Sequence, residues 1–231
     1  MCLSLASPER TIFEAEELID QAIWRGTRDK DFKSELTLCS EAKIILDGLT
    51  GLDSISEKHR RRALSQCLLR IDHAYIGLGD HEWSIERTSE SLNLAETSGS
   101  AVQIARALYS LGSAYLHARD IPGAERQWIR LLLLADEYPD DKEMQNVVGL
   151  TLVVRGHVLV GKNLYHQAAQ VLEDAYSTLA SVGDYFGCAS ACDLLADLYI
   201  KLDAPEKSHT YKAKSEEYRE RISKQPNPYD P

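Results

Sequence analysis

Between Ala101 and Tyr138 the chain reads AVQIARALYSLGSAYLHARDIPGAERQWIRLLLLADEY, two apolar patterns of helical period divided by one short polar break. Leu108, Leu111, Tyr115 and Leu116 fall three or four residues apart, the spacing that puts side chains on one face of an α-helix. Gly112 and Ala114 within that helix are small. A mid-helix glycine costs about 1 kcal/mol against alanine, so its presence predicts close approach by a neighbouring helix. Asp120 supplies an N-cap, and Pro122 loses no hydrogen bond because the first-turn N–H groups have no intrahelical acceptor. The second helix carries Ala124, Trp128, Leu131, Leu132 and Ala135 and stops before Pro139. The stretch is a helical hairpin.

The same pattern runs outward in both directions. Toward the N-terminus, Ser7 and Pro8 open a helix striped by Ile12, Ala15, Leu18, Ile19, Ala22 and Ile23 and closed by Gly26. Asp29 is expected to open its partner, with Phe32, Leu36, Cys39, Ala42, Ile45 and Leu46 facing inward. After the turn-rich segment 47–54, Ser54 and Glu57 form a capping box, Gly79 and Asp80 break the next pair, and Trp83, Ile85, Leu92, Leu94 and Ala95 stripe its second helix. A box at Ser100 and Gln103 opens the central hairpin, and one at Asp140 and Glu143 follows it. Beyond lie a turn at Gly161 to Asn163, a stop at Gly183, a cap at Asp184, and a last helix begun by Asp203 and Pro205. That helix has few apolar residues, as suits a terminal helix whose outer face meets water. The expected pairs are 8–48, 55–97, 101–138, 141–182 and 184–224, forming a single domain over 1–225 with a disordered tail at 226–231.

A repeat underlies the pairs. Gly112, Gly156 and Ala196 are separated by 44 and then 40 residues, and Asp72 lies 40 before Gly112. Tyr75, Tyr115, Leu159 and Tyr199 keep the same register, as do Ser84, Ala124, Ala168 and Ser208. Helix pairs at a period near 40 predict an α-solenoid, in which stacking supplies the core that no pair can build alone.

Leu111-Gly112, Tyr115, Ala124, Trp128 and Leu131 resemble the pattern of the tetratricopeptide repeat (TPR) family. Gly156, Ala168, Leu172 and Ala175 keep part of it, as do Tyr75 with the Gly79-Asp80 turn and Leu195-Ala196 with Tyr199. The first pair matches only at Asp31-Phe32 and Ala42. The resemblance spans residues 10 to 220 and is to the long-period variety, with helices about a turn longer than usual. It implies an all-α fold, a right-handed α-solenoid of about five helix-turn-helix repeats and ten helices.

Composition narrows the function. Lys and Arg total 26 against 36 Asp and Glu, a net charge of −10, which argues against a broad nucleic-acid or anionic-membrane surface. MCLSLASPER has no basic start before a long apolar core, and the aliphatic runs read as too short to cross a bilayer, so a soluble, cytoplasmic protein without a membrane partner is expected. The five cysteines, Cys2, Cys39, Cys67, Cys188 and Cys192, form no disulfide framework. Cys188 and Cys192 stand four apart on one helix, but no second His or Cys pair completes a tetrahedral site, so they read as buried thiols. No phosphate loop, nucleophile elbow or metal motif appears, and neither catalysis nor a cofactor is expected.

In the TPR family the first helix of each pair lines a concave groove. The resemblance therefore implies a partner-binding site at Leu69, Arg70, His73, Arg106, Tyr109, Ser113, Leu116, His117, Val153 and His157, with an acidic end at Asp193 and Asp197. Such a mixed groove suits an extended peptide or a partner helix, with arginines pairing acidic groups. The groove lacks the Lys and Asn clamp of chaperone-tail binders. His73, His117 and His157 share its register and read as polar groove residues rather than a metal set. The basic run Lys58–Arg62 is a weak nucleic-acid candidate on an otherwise acidic chain. The leading expectation is a protein-binding adaptor; a ligand- or peptide-sensing regulator and a scaffold self-assembling through its terminal helices are the alternatives.

Overall fold

Two serines and five aspartates set where the helices begin. The computed structural model describes residues 7–80, 85–226 and 228–229, and every regular element among them is a helix. In order these are α1 (Pro8–Trp24), a π-helical turn (Arg25–Asp29), α2 (Phe32–Asp47), α3 (Ser54–Gly77), α4 (Ile85–Ser98), α5 (Ala101–His117), α6 (Ile121–Ala135), α7 (Lys142–Gly161), α8 (Tyr165–Val182), α9 (Tyr185–Lys201) and α10 (Pro205–Ser223). Ser7, Asp120 and Asp184 accept the N–H of Arg10, Gly123 and Gly187 as their sequence context predicts. Trp83 and Ser84, read from sequence as part of the second pair, lie outside the described residues.

Three starts differ from the sequence reading, and a fourth keeps its cap without the box. Asp29 is taken up by the π turn, and Asp31 caps α2 by accepting the Ser34 N–H at 3.1 Å. Asp53, rather than Ser54, caps α3, accepting from Ile55 and Ser56 at 2.8 and 2.9 Å. Glu57 is thereby left to bind Arg60 and Arg61. Asp141, rather than Asp140, caps α7 through the N–H groups of Glu143 and Met144. Ser100 caps α5, but Gln103 turns inward and donates to Ser65 Oγ at 3.0 Å instead of completing a box. At both α3 and α7 a single aspartate Oδ1 accepts two first-turn N–H groups that have no intrahelical acceptor.

The tight turns share one geometry. Gly79, Arg119, Asn163 and Asp203 all have positive φ, from 55° to 88°. In each case the next residue donates its N–H five residues back, to the carbonyls of Tyr75, Tyr115, Leu159 and Tyr199. This is the left-handed helix ending that satisfies carbonyls left open by the last turn.

The helices gather into two compact units, residues 1–130 and 131–231, with the boundary inside α6. In the first unit consecutive helices from α1 to α5 pack antiparallel, and α1, α3 and α5 lie side by side. Ile12, Ala15, Ile19, Ala42, Leu46, Ala63, Leu64 and Cys67 form an apolar cluster within it. Gly112 shows why the central hairpin carries a mid-helix glycine. A Cβ there would stand 2.2 Å from Trp128 Nε1, and Trp128 is fully buried with that N–H directed at the Tyr109 carbonyl at 3.5 Å.

In the second unit α7, α8, α9 and α10 pack in sequence, and α7 also meets α9. Its core holds Leu172, Leu179, Leu195 and Leu198, all essentially inaccessible to solvent. Among the described residues α7 is the one helix with the length, 20 residues, and mean hydropathy to cross a membrane, a test that a packed core helix also meets. Val153 packs with Ala175, Leu179, Cys188 and Ala191, and Met144, Val147 and Val158 are buried too. Cys39, Cys67, Cys188 and Cys192 are free and buried, and burial pushes the Cys192 thiol up to about 12.

Candidate partner-binding face

The face formed by α1, α3 and α5 carries eight of the ten residues named from sequence. Leu69, Arg70 and His73 come from α3, and Arg106, Tyr109, Ser113, Leu116 and His117 from α5. Leu69, Tyr109 and Leu116 are half-buried, which leaves part of each apolar surface open to a partner, and His117 is exposed at the end of α5. Ser113 is only 8% accessible and donates to the Tyr109 carbonyl at 3.1 Å, so its hydroxyl is already occupied. Burial also raises the Tyr109 phenol. Val153 and His157 belong to the second unit; Val153 is buried in that unit's core and His157 is exposed on α7.

Arg70 and His73 face inward as well as outward, because of a residue that sequence reading missed. Glu35 on α2 is completely buried and forms an ion pair with Arg70. His73 Nδ1 lies 2.9 Å from the second carboxylate oxygen. A carboxylate only accepts, so Nδ1 is the donor in that bond, and the neighbouring Arg70 Nη2 at 3.2 Å cannot donate to the same nitrogen. Gly26 closes the other side: a Cβ there would sit 1.9 Å from Glu35 Oε2, so only glycine leaves room for the carboxylate. Thr27 Oγ1 and the edge of Phe32, whose ring centroid is 5.6 Å from that of His73, complete the surroundings. Arg70 is thus committed to a buried acid, and pairing an incoming acidic group would first unpair Glu35. The signal was legible in principle, because Glu35 shares one buried stripe with Cys39, Ala42 and Leu46.

Acidic residues of α1 supply the counter-charges on this face. Asp20 is raised by its own burial and by Glu16, an effect opposed by the positive charges of Arg106 and Arg62. Glu16 also pairs directly with Arg62. On the other side of α3, Asp72 is buried, which raises its carboxyl, and Arg87 pairs with it and limits the rise. The face therefore balances much of its own charge, and its open remainder is apolar and aromatic around Leu69, Tyr109 and Leu116. Among the described residues no group of three or more His, Cys, Asp and Glu is arranged to hold a metal ion.

In the second unit Asp193 is bound by Ser215 Oγ and Arg219, both at 2.6 Å, so it is engaged by α10, whereas Asp197 is exposed. The run Lys58–Arg62 is also largely tied down. Arg60 and Arg61 both bind Glu57, which holds the Glu57 carboxyl down at about 2.

Comparison with solved structures finds the same fold elsewhere. BtubC (BKLC) from P. vanneervenii aligns over 98% of this chain and 97% of its own, at 15% identity and a TM-score of 0.59. A Rap protein complexed with competence and sporulation factor aligns over 93% of this chain and 66% of its own, at 16% identity and a TM-score of 0.59. TPR-like repeats from Podosopora anserina align over 96% of this chain and 100% of theirs, at 12% identity and a TM-score of 0.50. The likeness is one of fold: an all-α, TPR-like solenoid of helices packed in sequential antiparallel pairs. No family model matches the sequence, and no curated protein does.

Proposed function

We propose that the chain is a non-enzymatic, cytoplasmic interaction module of the long-period TPR kind, which binds a peptide or partner protein along the α1, α3 and α5 face of its first unit. The observation that carries this reading is the partly open apolar group Leu69, Tyr109 and Leu116, set among charges that largely cancel within the protein. An extended peptide or amphipathic helix gains most from such a face by placing apolar anchors on it, with polar groups meeting Arg106 and His117 at its rim. The left-handed turns at Gly79, Arg119, Asn163 and Asp203, spaced 40, 44 and 40 residues apart, support the long-period assignment.

A sensing role for the same face is the second reading. It is favoured by the Rap protein of the same fold that was crystallised with competence and sporulation factor.

The test is affinity capture from the source cell, comparing the native chain with an Arg106→Glu and Leu116→Ser double variant whose helicity and melting temperature are checked first. The native chain is expected to retain a specific partner that the folded double variant loses. Equal recovery by both would remove this face from consideration.

A further inference from the structure

The basic run Lys58–Arg62 divides into two kinds of residue. Its three arginines are neutralised within the protein: Arg60 and Arg61 by Glu57, and Arg62 by Glu16. Lys58 and His59 have no hydrogen bond or ion pair among the described residues, and both are exposed. Together with Arg62 they line a pocket of about 260 Å³, whose other walls are Ile55 and the turn Ser98, Gly99 and Ser100.

That turn presents donors and open space. Ser98 Oγ accepts the Ser100 N–H at 3.2 Å, Ser100 Oγ accepts the Gln103 N–H, and α5 then begins at Ala101. The N–H groups of Ala101 and Val102 are first-turn donors with no intrahelical acceptor. Gly99 has a φ of 77° and nothing within 4 Å of a Cβ position, so no side chain blocks the approach.

We propose that this pocket binds a phosphate monoester. Lys58 and His59 occupy the second turn of α3, where positive charge opposes the helix dipole, and neither forms an ion pair among the described residues, Asp53 sensing His59 only through space. In a chain of net charge −10, two basic side chains that line one pocket without an ion-pair partner among the described residues call for an anion from outside. A monoester dianion matches the donors better than a carboxylate does. Its three terminal oxygens meet the Lys58 ammonium and the His59 and Arg62 side chains on one wall and the α5 start on the other, whereas a carboxylate has two oxygens and one charge. Ile55, 69% exposed, offers the organic body of the ligand an apolar wall. The volume suits a phosphate with a ring-sized substituent. A nucleic-acid strand needs a succession of free cations, and here Glu57 has removed Arg60 and Arg61 from that role. The pocket touches the partner-binding face at Arg62, which pairs with Glu16, but shares none of Leu69, Tyr109 and Leu116 with it.

Isothermal titration of the full chain tests the assignment, with phenyl phosphate, inorganic phosphate, benzoate and a phosphoserine peptide as probes. Phenyl phosphate is expected to bind saturably and about tenfold or more tighter than benzoate. The Lys58→Gln and His59→Gln double variant should weaken phenyl phosphate by about tenfold or more at an unchanged melting temperature, whereas Arg60→Gln leaves it unaltered. In NMR spectra the amides of Ala101 and Val102 should shift with the same saturation curve. A phosphoserine peptide binding tighter than phenyl phosphate assigns the phosphate to a protein partner, and weaker binding assigns it to a small molecule. Absence of saturation, equal binding of benzoate, or an unaffected double variant would each overturn the proposal.

Discussion

The two units bury different chemistry. Among the described residues, the first unit encloses the carboxylates of Glu35 and Asp72 and a polar knot in which Ser65 joins Ser91 and Gln103 across α3, α4 and α5. The buried polar side chains of the second are hydroxyls only, those of Thr151, Ser208 and Ser215. Beside them stands a group of phenols, Tyr199 buried and Tyr176, Tyr211 and Tyr218 half-buried. Tyr199 donates to Glu173 at 2.6 Å and stacks on Tyr211, Tyr176 and Tyr218 meet through their hydroxyls, and the Lys214 ammonium lies over the rings of Tyr176 and Tyr211. An ion-paired interior depends on each member, because removing one leaves the other buried without compensation. An aromatic cluster spreads its stabilisation over area, so no single ring is indispensable.

The strongest way to break this contrast is at Glu35. Glu35→Ala leaves Arg70 and His73 without their acid and should destabilise the first unit by about 3–5 kcal/mol. Trp24, Trp83 and Trp128 are the protein's only tryptophans and all fall within residues 1–130, so urea unfolding followed by tryptophan fluorescence reads that unit. A loss below about 1 kcal/mol would show the pair to be dispensable. Replacing Glu35 by Leu and Arg70 by Met together should recover most of the loss, since an apolar pair needs no charge balance.

A smaller effect is expected at Gly112. Gly112→Ala drives a methyl group into the Trp128 indole, and overpacking of this kind costs about 1–3 kcal/mol. A blue or red shift of the tryptophan emission in the folded state would accompany it. Wild-type stability would mean that α5 and α6 separate without cost.

The smallest effects are in pH dependence, and they run in opposite directions in the two units. Arg60, then Arg61, hold Glu57 at about 2 against an ordinary 4.5. A depressed carboxyl contributes stability that is complete above about 4.5 and lost as pH falls through about 2, so Glu57→Gln should flatten the acid limb of the first unit. Burial, reinforced by Glu173, raises Tyr199 from 10.0 to about 12. A raised phenol contributes stability that is complete below 10 and lost as pH climbs through about 12, so Tyr199→Phe should flatten the alkaline limb of the second. Melting temperature against pH, read by far-UV circular dichroism, measures both. Unchanged limbs in the variants would detach these groups from the pH response.

Most of the fold was legible because the chain punctuates itself. Proline and aspartate at helix starts, and glycine or asparagine at left-handed turns, restrict the backbone locally, and a local restriction can be read without the rest of the molecule. The caps misread by one residue, Asp53 and Asp141, show the limit. Neighbouring Ser54 and Asp140 are equally good cap types, and only the direction of chain entry decides between them. The binding face was legible as a register but not as a set of free groups. That Arg70 is held by Glu35 and that Ser113 turns to the Tyr109 carbonyl depend on contacts between helices or on rotamers, which periodicity does not encode. The basic run at Lys58 was visible, whereas its division by Glu57 and Glu16 into paired arginines and an unpaired Lys–His edge was not.

The π turn at Arg25–Asp29 has a further meaning for chain length. It is a helix carrying one residue more than the α pitch requires, a form that arises by single-residue insertion and is kept where it aims a group usefully. Each residue advances a helix by roughly 100°, so deleting one here would rotate Gly26 out of line and bring a Cβ-bearing neighbour against the Glu35 carboxylate. The left-handed residue of the first hairpin, Lys30, lies 49 residues before Gly79, against spacings of 40, 44 and 40 between the turns that follow. A search that aligns repeats at constant spacing will pass over it, although its two helices pack as the others do.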